Sequence, residues 1–125
     1  MFLDTRLRKD IVEIGRRLWL RGYVAANDGN ISVRLGPDDF LCTPTGVSKG
    51  FMTPGMLIRI DGEGRVKAGR LRPSSEIKMH LAVYRARPDV GAVVHAQASD
   101  VTGQTSFPFS SWNVLSHFPV LSILK

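Results

Sequence analysis

The segment covering residues 72–97 constrains the fold most, because its pattern predicts a helix, a tight turn and a buried strand in direct succession. A serine pair suits a helix N-terminus, and we predict a helix over residues 75–86 that ends before the next proline. Residues 90–94 form an unbroken apolar run, which predicts a buried strand ending near His95. The helix carries an apolar stripe with helical spacing, made of Ile77, Leu81 and Tyr84.

The lengths of the two predicted elements decide which residues meet. A helix of this length rises about 18 Å, and the strand rises about 16 Å. If the turn reverses the chain, the start of the helix lies near the end of the strand, and Glu76 lies beside His95. A carboxylate and an imidazole next to a helix start indicate metal-assisted chemistry on a phosphorylated substrate.

Two polar stretches earlier in the chain could contact an anion. Residues 27–30 form a turn that leads into an alternating strand at 31–35, and residues 40–43 complete a predicted hairpin. Within that turn, Gly29-Asn30 is compatible with two readings: a turn only, or a backbone N–H and an amide offered to a phosphate. The loop at 43–50 holds small, hydroxyl and glycine residues with one lysine, although not in the spacing of a Walker loop.

The remaining predicted elements complete an α/β domain. Residues 4–21 form an amphipathic helix, and Gly22 suits its C-terminal cap. Residues 56–60 predict a strand, and a tight turn leads from it into a predicted edge strand at 65–68. The apolar face of the first helix consists of Leu7, Ile11, Ile14 and Leu18, joined by Trp19.

Length and charge exclude several classes of protein. The 125 residues suffice for one domain. The net charge of +6 comes from scattered residues without a basic run, so we interpret it as a solvated surface and expect no nucleic-acid partner. Cys42 is the single cysteine, which favours a reducing cytoplasm. No apolar run approaches the roughly 18 residues of a membrane span, so we expect no membrane association.

Four short motifs occur in order and at suitable spacing, and together they resemble the class II aldolase/adducin family. Members of that family include L-fuculose-phosphate aldolase and L-ribulose-5-phosphate 4-epimerase. The resemblance covers roughly residues 4–96. The motifs are Gly29-Asn30-Ile31-Ser32, Thr45-Gly46-Val47-Ser48-Lys49-Gly50, Pro73-Ser74-Ser75-Glu76 and Val94-His95-Ala96.

The resemblance implies a three-layer α/β/α sandwich around a mixed, largely antiparallel sheet, here truncated. It implies a zinc-dependent lyase of carbohydrate metabolism that splits a sugar phosphate by retro-aldol cleavage, in a cytoplasmic homotetramer. Glu76 matches the family's acid/base carboxylate, and His95 matches the first histidine of a His-x-His zinc pair. The matches to residues that hold the substrate phosphate are Gly29, Asn30, Thr45, Gly46, Ser74 and Ser75.

Two departures from the family pattern predict an impaired metal site. Gln97 replaces the second histidine of the pair, and an amide is a poor zinc ligand beside imidazole. His117 is the remaining histidine after that point, and its context does not match the family's third ligand. We therefore expect His95 and Glu76 to hold zinc weakly. His80 lies four residues after Glu76 on the same helix face. It is predicted to have a structural role, or to orient that carboxylate by hydrogen bonding, rather than to bind metal.

The composition changes after residue 96, where the family pattern also stops. Residues 97–125 hold six serines and the two charged residues Asp100 and Lys125. We predict a domain part at 1–96 and an atypical tail at 97–125, frameshifted or disordered. Three functions stay open: an aldolase, an epimerase, or a non-enzymatic adducin-like interaction module or inactive fragment.

Overall fold

One α-helix lies against each face of a five-stranded sheet in the computed structural model, which describes residues 2–24 and 27–96. This layering confirms the predicted α/β sandwich. The elements in chain order are α1 (Phe2–Leu20), β1 (Asn30–Gly36), β2 (Asp39–Cys42), a 3-10 turn (Pro54–Met56), β3 (Ile58–Ile60), β4 (Val66–Ala68), α2 (Ile77–Ala86) and β5 (Ala92–His95).

The strands lie in the order β4-β3-β2-β1-β5, so β4 is an edge strand as the sequence predicts. Each neighbouring pair is antiparallel, and the predicted hairpin between β1 and β2 is confirmed. The parallel pairing that a mixed sheet implies is not found within the described residues. In the β1–β5 pair, Asn30 lies opposite His95 and Ser32 lies opposite Val93.

Strand alternation divides the core into two layers, because successive side chains point to opposite faces of a sheet. On one face, Leu41 and Ile31 pack with Ile11 of α1. On the other face, Phe40 and Val93 pack against α2. The predicted stripe of α2 is confirmed, since Ile77, Leu81 and Tyr84 are all buried.

The boundaries of α1 agree with the prediction to within two residues. Gly22 has a φ of +71°, the left-handed conformation that suits a residue after a helix. The N–H of Gly22 donates to the Trp19 carbonyl at 3.1 Å, and that of Tyr23 donates to the Leu18 carbonyl at 3.0 Å. These bonds satisfy carbonyl groups that the helix end leaves open. Neither described helix is long and apolar enough to cross a membrane.

Three predicted boundaries are wrong by a few residues. The strand predicted at 56–60 begins at Ile58, because Pro54 starts a 3-10 turn that uses residues up to Met56. Helix α2 begins at Ile77, because the Ser74 hydroxyl accepts the Glu76 N–H in a local turn instead of capping a longer helix. Strand β5 begins at Ala92. The predictions for residues 97–125 lie outside the described residues.

Candidate functional site

The start of α2 and the end of β5 meet, as the element lengths predict. The distance from His95 Nδ1 to Glu76 Oε2 is 3.8 Å. The two side chains differ in environment, since that of His95 is 16% exposed and that of Glu76 is 51% exposed. Glu76 can therefore reach a ligand from the solvent side, whereas His95, the last residue of β5, is mostly enclosed.

A cleft of about 130 Å³ opens beside this pair. Residues from four separate segments line it, and together they offer amide, hydroxyl, carboxylate and imidazole groups. Such a mixture suits a small polar ligand, because it provides both hydrogen-bond donors and acceptors. The lining residues are Asn27, Asp28, Gly29, Asn30, Pro44, Thr45, Ser74, Glu76 and His95.

Backbone contacts join these four segments in two pairs. Asn30 and His95 are paired across β1 and β5. An isolated bridge joins Pro44 to Pro73, and the Thr45 N–H donates to the Arg72 carbonyl at 2.9 Å. The loop after β2 is thereby fixed against the segment that leads into α2, so the cleft walls do not depend on side-chain contacts alone.

Gly29 allows the turn before β1 to pass close to the end of β5. Its φ is +88°, a conformation that other residues rarely adopt. A Cβ atom here would lie 2.6 Å from Val24 Cγ1 and 3.2 Å from the His95 carbonyl oxygen. The next residue, Asn30, is 7% exposed. Within the described part of the chain its side-chain amide has no hydrogen-bond partner, so it is available to a ligand in the cleft.

The structure brings together most of the residues that the resemblance assigns to the site. Gly29, Asn30, Thr45 and Ser74 line the cleft with Glu76 and His95. Gly46 and Ser75 are not part of its wall, and both are exposed. The role of each residue stays a prediction.

Three lining residues were not predicted as site residues. Asn27 and Asp28 stand in the turn that the sequence identified, and Pro44 stands in the identified loop. Their positions within two residues of Gly29 or Thr45 in the sequence were the signal that could have identified them. Asp28 is of interest because it adds a second carboxylate to the cleft wall beside Glu76.

The structure confirms the predicted structural role of His80, but the side chain does not orient Glu76 as the sequence suggested. His80 is fully buried, and its Nδ1 lies 2.6 Å from the Ser32 hydroxyl, which lies 2.8 Å from the Tyr84 hydroxyl. The helix turns His80 toward the sheet, whereas Glu76 precedes the first full turn and points to the cleft. Burial, with the nearby His95 as a smaller cause, lowers the pKa of His80 to about 3, so its ring is neutral.

Two imidazole nitrogens are buried without a hydrogen-bond partner among the described residues: His80 Nε2 and His95 Nδ1. His80 Nε2 lies in the layer between α2 and the sheet, whereas His95 belongs to the cleft wall. Buried polar atoms of this kind are uncommon, and the one at His95 is the ring nitrogen 3.8 Å from Glu76 Oε2.

The described residues do not complete a metal site. His95 and Glu76 are two donors, and residues 2–24 and 27–96 hold no group of three or more His, Cys, Asp or Glu side chains that could bind an ion. A tetrahedral zinc site needs more ligands than this pair supplies. Cys42 does not help, since burial raises the pKa of its thiol to about 12. Gln97 and His117 lie outside the described residues.

Comparisons with curated proteins find relatives that act on small phosphorylated compounds. The chain is 36% identical over 117 residues to a methylthioribulose-1-phosphate dehydratase of Gluconacetobacter diazotrophicus, covering 94% of this chain and 57% of the relative. It is 38% identical over 98 residues to an L-fuculose phosphate aldolase of Escherichia coli, covering 78% and 45%. The chain thus spans about half the length of the curated relatives it matches.

Solved structures show the same fold. A putative aldolase/epimerase/decarboxylase from Escherichia coli matches with a TM-score of 0.70 at 34% identity, over 74% of this chain and 44% of that one. An L-fuculose 1-phosphate aldolase from Glaciozyma antarctica matches with a TM-score of 0.70 at 27% identity, over 75% and 41%.

The family model described as "Class II Aldolase and Adducin N-terminal domain" matches residues 9–113. The match passes residue 96, and the predicted domain boundary there stays a prediction. Because the matched range covers most of the chain, the protein belongs to the class II aldolase and adducin N-terminal domain family.

Proposed function

We propose that this chain carries the sugar-phosphate-binding and acid/base part of a class II aldolase site, which cleaves a carbon–carbon bond by a retro-aldol reaction. One observation carries the proposal: Glu76 and His95 converge with Asn30, Thr45 and Ser74 on one polar cleft. The activities for which the relatives are named support a phosphorylated sugar as substrate. In a complete chain we propose a cytoplasmic homotetramer, in keeping with the family resemblance.

The phosphate is proposed to occupy the side of the cleft formed by the amide of Asn30 and the hydroxyls of Thr45 and Ser74. Within the described residues, the Asn30 amide and the Thr45 hydroxyl have no side-chain hydrogen bond of their own, so both can serve a ligand. Gly46 and Ser75 adjoin this wall and are proposed to contribute from its rim. Anchoring the phosphate fixes the reacting carbons relative to Glu76, which lowers the entropic cost of reaction.

Glu76 is proposed to move the proton. In a retro-aldol step a base removes the proton from the hydroxyl group two carbons from the carbonyl carbon, and this oxygen becomes the carbonyl oxygen of the released aldehyde. The bond between the hydroxyl-bearing carbon and the carbon next to the carbonyl breaks. Its electron pair passes to the fragment that holds the original carbonyl group, which becomes an enediolate. Returning the proton to that fragment completes the reaction. A carboxylate at the mouth of a partly enclosed cleft suits both transfers.

Zinc is proposed to bind weakly to this chain, with His95 and Glu76 as two of its ligands. Two donors do not make a closed tetrahedral site. We expect zinc titration monitored by calorimetry to give an affinity weaker than micromolar. Stoichiometric zinc held more tightly than this would show that residues outside the described part complete the site.

Binding is tested by titrating the full chain with L-fuculose 1-phosphate while following backbone amide resonances. We expect saturable shifts at Asn30 and Thr45, and none with the sugar that lacks the phosphate. The variant Ser74→Asp places a carboxylate in the cleft wall and should weaken binding at least about tenfold. The matched control Thr53→Asp adds the same charge at an exposed position outside the cleft. Equal affinity of Ser74→Asp and the unmodified protein would contradict the site.

Catalysis is tested by following aldehyde release with a coupled reductase. A Glu76→Gln variant should still bind the sugar phosphate but release no aldehyde, because an amide cannot move the proton. If the unmodified chain releases aldehyde and Glu76→Gln releases it equally fast, the acid/base assignment is wrong.

A further inference from the structure

Lys49 is buried as completely as the apolar core, with 1% of its surface exposed. Helix α1 covers it at Gly15, where a Cβ atom would lie 2.7 Å from the Lys49 carbonyl oxygen and 2.6 Å from Met52 Cε. Lysine is almost never buried without partners, because removing its charge from water is costly. Its burial therefore needs an explanation in the contacts that it makes.

The partners of the Lys49 side chain are backbone carbonyls. Its Nζ donates to the Val47 carbonyl at 3.0 Å and to the Asn27 carbonyl at 3.4 Å. Asn27 belongs to the turn that lines the cleft, and Val47 belongs to the loop that follows Thr45. The buried Lys49 side chain thus joins the turn at 27–30 to the loop after β2, and both of these segments line the cleft.

The cleft wall itself lacks a cation among the described residues. Its titratable members are Asp28, Glu76 and His95. Two carboxylates disfavour a phosphate, so backbone N–H groups must contribute if an anion binds here. Lys49 stands behind this wall, and Asp28 is the acidic group that interacts with it.

The geometry of a peptide unit links Lys49 to the cleft. All described peptide bonds are trans, and in a trans peptide the N–H points opposite to the preceding C=O. Because the Asn27 carbonyl is directed inward to Lys49, the N–H of Asp28 is directed the other way. Within residues 2–24 and 27–96 that N–H has no acceptor.

We infer that Lys49 is a positioning residue that holds the Asn27–Asp28 peptide with its N–H directed into the cleft, where it donates to the phosphoryl group of the substrate. The inference rests on the proposed function, since it assigns one further donor to the same anion. It adds a group that neither the sequence pattern nor the lining side chains indicate.

The first experiment uses the unmodified full chain and inorganic phosphate as the probe. An amide N–H that donates to phosphate shifts downfield, so the Asp28 resonance should move downfield along the same saturation curve as those of Asn30 and Thr45. If Asn30 and Thr45 respond and Asp28 does not, the inference is overturned while the proposed function stands. If none of the three responds, the proposed function itself fails.

The second experiment measures phosphate binding by the Lys49→Met variant. The control variant is Lys67→Met, since Lys67 is an exposed lysine of β4 outside the cleft. Phosphate affinity should fall about tenfold in Lys49→Met, the loss expected for one hydrogen bond to a charged group, and stay within twofold in Lys67→Met. In Lys49→Met the Asp28 amide should lose its downfield shift while Asn30 keeps its own. Unchanged affinity in a folded Lys49→Met protein overturns the inference. If that variant does not fold, the Asp28 titration in the unmodified chain decides.

Discussion

Two histidines near the same strand pair, His80 and His95, occupy environments with opposite consequences. His80 is fully buried with Ser32 and Tyr84 in the layer between α2 and the sheet. His95 lies in the neighbouring strand β5, opposite Asn30 and two residues along β1 from Ser32, beside the cleft. Each ring has one buried nitrogen without a hydrogen-bond partner among the described residues. The other nitrogen of His80 bonds the Ser32 hydroxyl in the interior, whereas the unbonded nitrogen of His95 lies 3.8 Å from the Glu76 carboxylate. A step of two residues along β1 thus separates a structural position from a ligand-accessible one.

The difference follows from what covers each position. Helix α2 lies over Ser32 and Val93, so any polar group there needs a partner within the protein. Glu76 precedes α2 and is half exposed, and together with His95 at the end of β5 it lines the cleft. The proposed chemistry therefore lies at the start of α2, whereas the interior hydrogen bonds join α2 to the sheet.

The largest expected effect is a loss of stability on substitution of Tyr84 in the interior. Tyr84→Ala should lower the free energy of unfolding by about 3–5 kcal/mol, because it removes a buried aromatic ring that packs on Phe40 at 4.8 Å and lies under the Arg34 guanidinium. Tyr84→Phe, which loses the hydroxyl alone, should cost about 1 kcal/mol. Urea unfolding measures both. Similar losses in the two variants would mean that the hydroxyl, and not the ring, carries the stability.

The second prediction concerns acid. The pKa of His80 is about 3 in the folded protein against 6.5 for an ordinary histidine, so the unfolded chain binds more protons between these values. Stability is therefore complete above pH 6.5 and falls as the pH falls toward 3, by on the order of 1 kcal/mol per pH unit.

The His80→Gln variant sharpens this test, because it cannot titrate. Its unfolding free energy should change little between pH 6.5 and 4.5, whereas that of the unmodified chain should fall. Asp39, whose pKa is lowered by its hydrogen bond to Arg59, loses its contribution only at lower pH, below about 4. A parallel decline in the two proteins over pH 6.5–4.5 would show that His80 is not the group responsible.

The third prediction concerns the cleft. Asp28→Asn removes one of two carboxylates from the wall that is proposed to hold a phosphate, and should strengthen phosphate binding about threefold, in line with a partly screened like-charge contact. The exposed Glu63→Gln provides a control of equal charge change away from the cleft. Calorimetry at two salt concentrations should show the gain shrink at high salt. Weaker binding in Asp28→Asn would count against an anion at this position.

The smallest effect on stability is expected at the site itself. Glu76→Gln should change the free energy of unfolding by less than about 0.5 kcal/mol, because a half-exposed carboxylate without a side-chain hydrogen bond among the described residues contributes little. The same substitution should remove the proposed catalysis. A loss of stability comparable to that of Tyr84→Ala would place Glu76 with the structural network instead.

Local patterns were sufficient for much of the fold. The apolar stripe of α2, the hairpin of β1 and β2 and the edge position of β4 were predicted from periodicity and turn residues, and the structure confirms them. The meeting of Glu76 and His95 followed from element lengths alone. Errors fell at element ends, where Ser74 and Pro54 form local turns that compete with the helix and the strand.

By itself, the sequence determined the layered α/β class, the family and the approach of Glu76 to His95, because periodicity, spacing and rise per residue are local properties. Only the tertiary structure decided the partners of His80 and Lys49. Ser32 is 48 positions from His80 along the chain, and Asn27 is 22 from Lys49. Which polar groups meet in a core depends on how separate elements pack, and no local pattern encodes that contact.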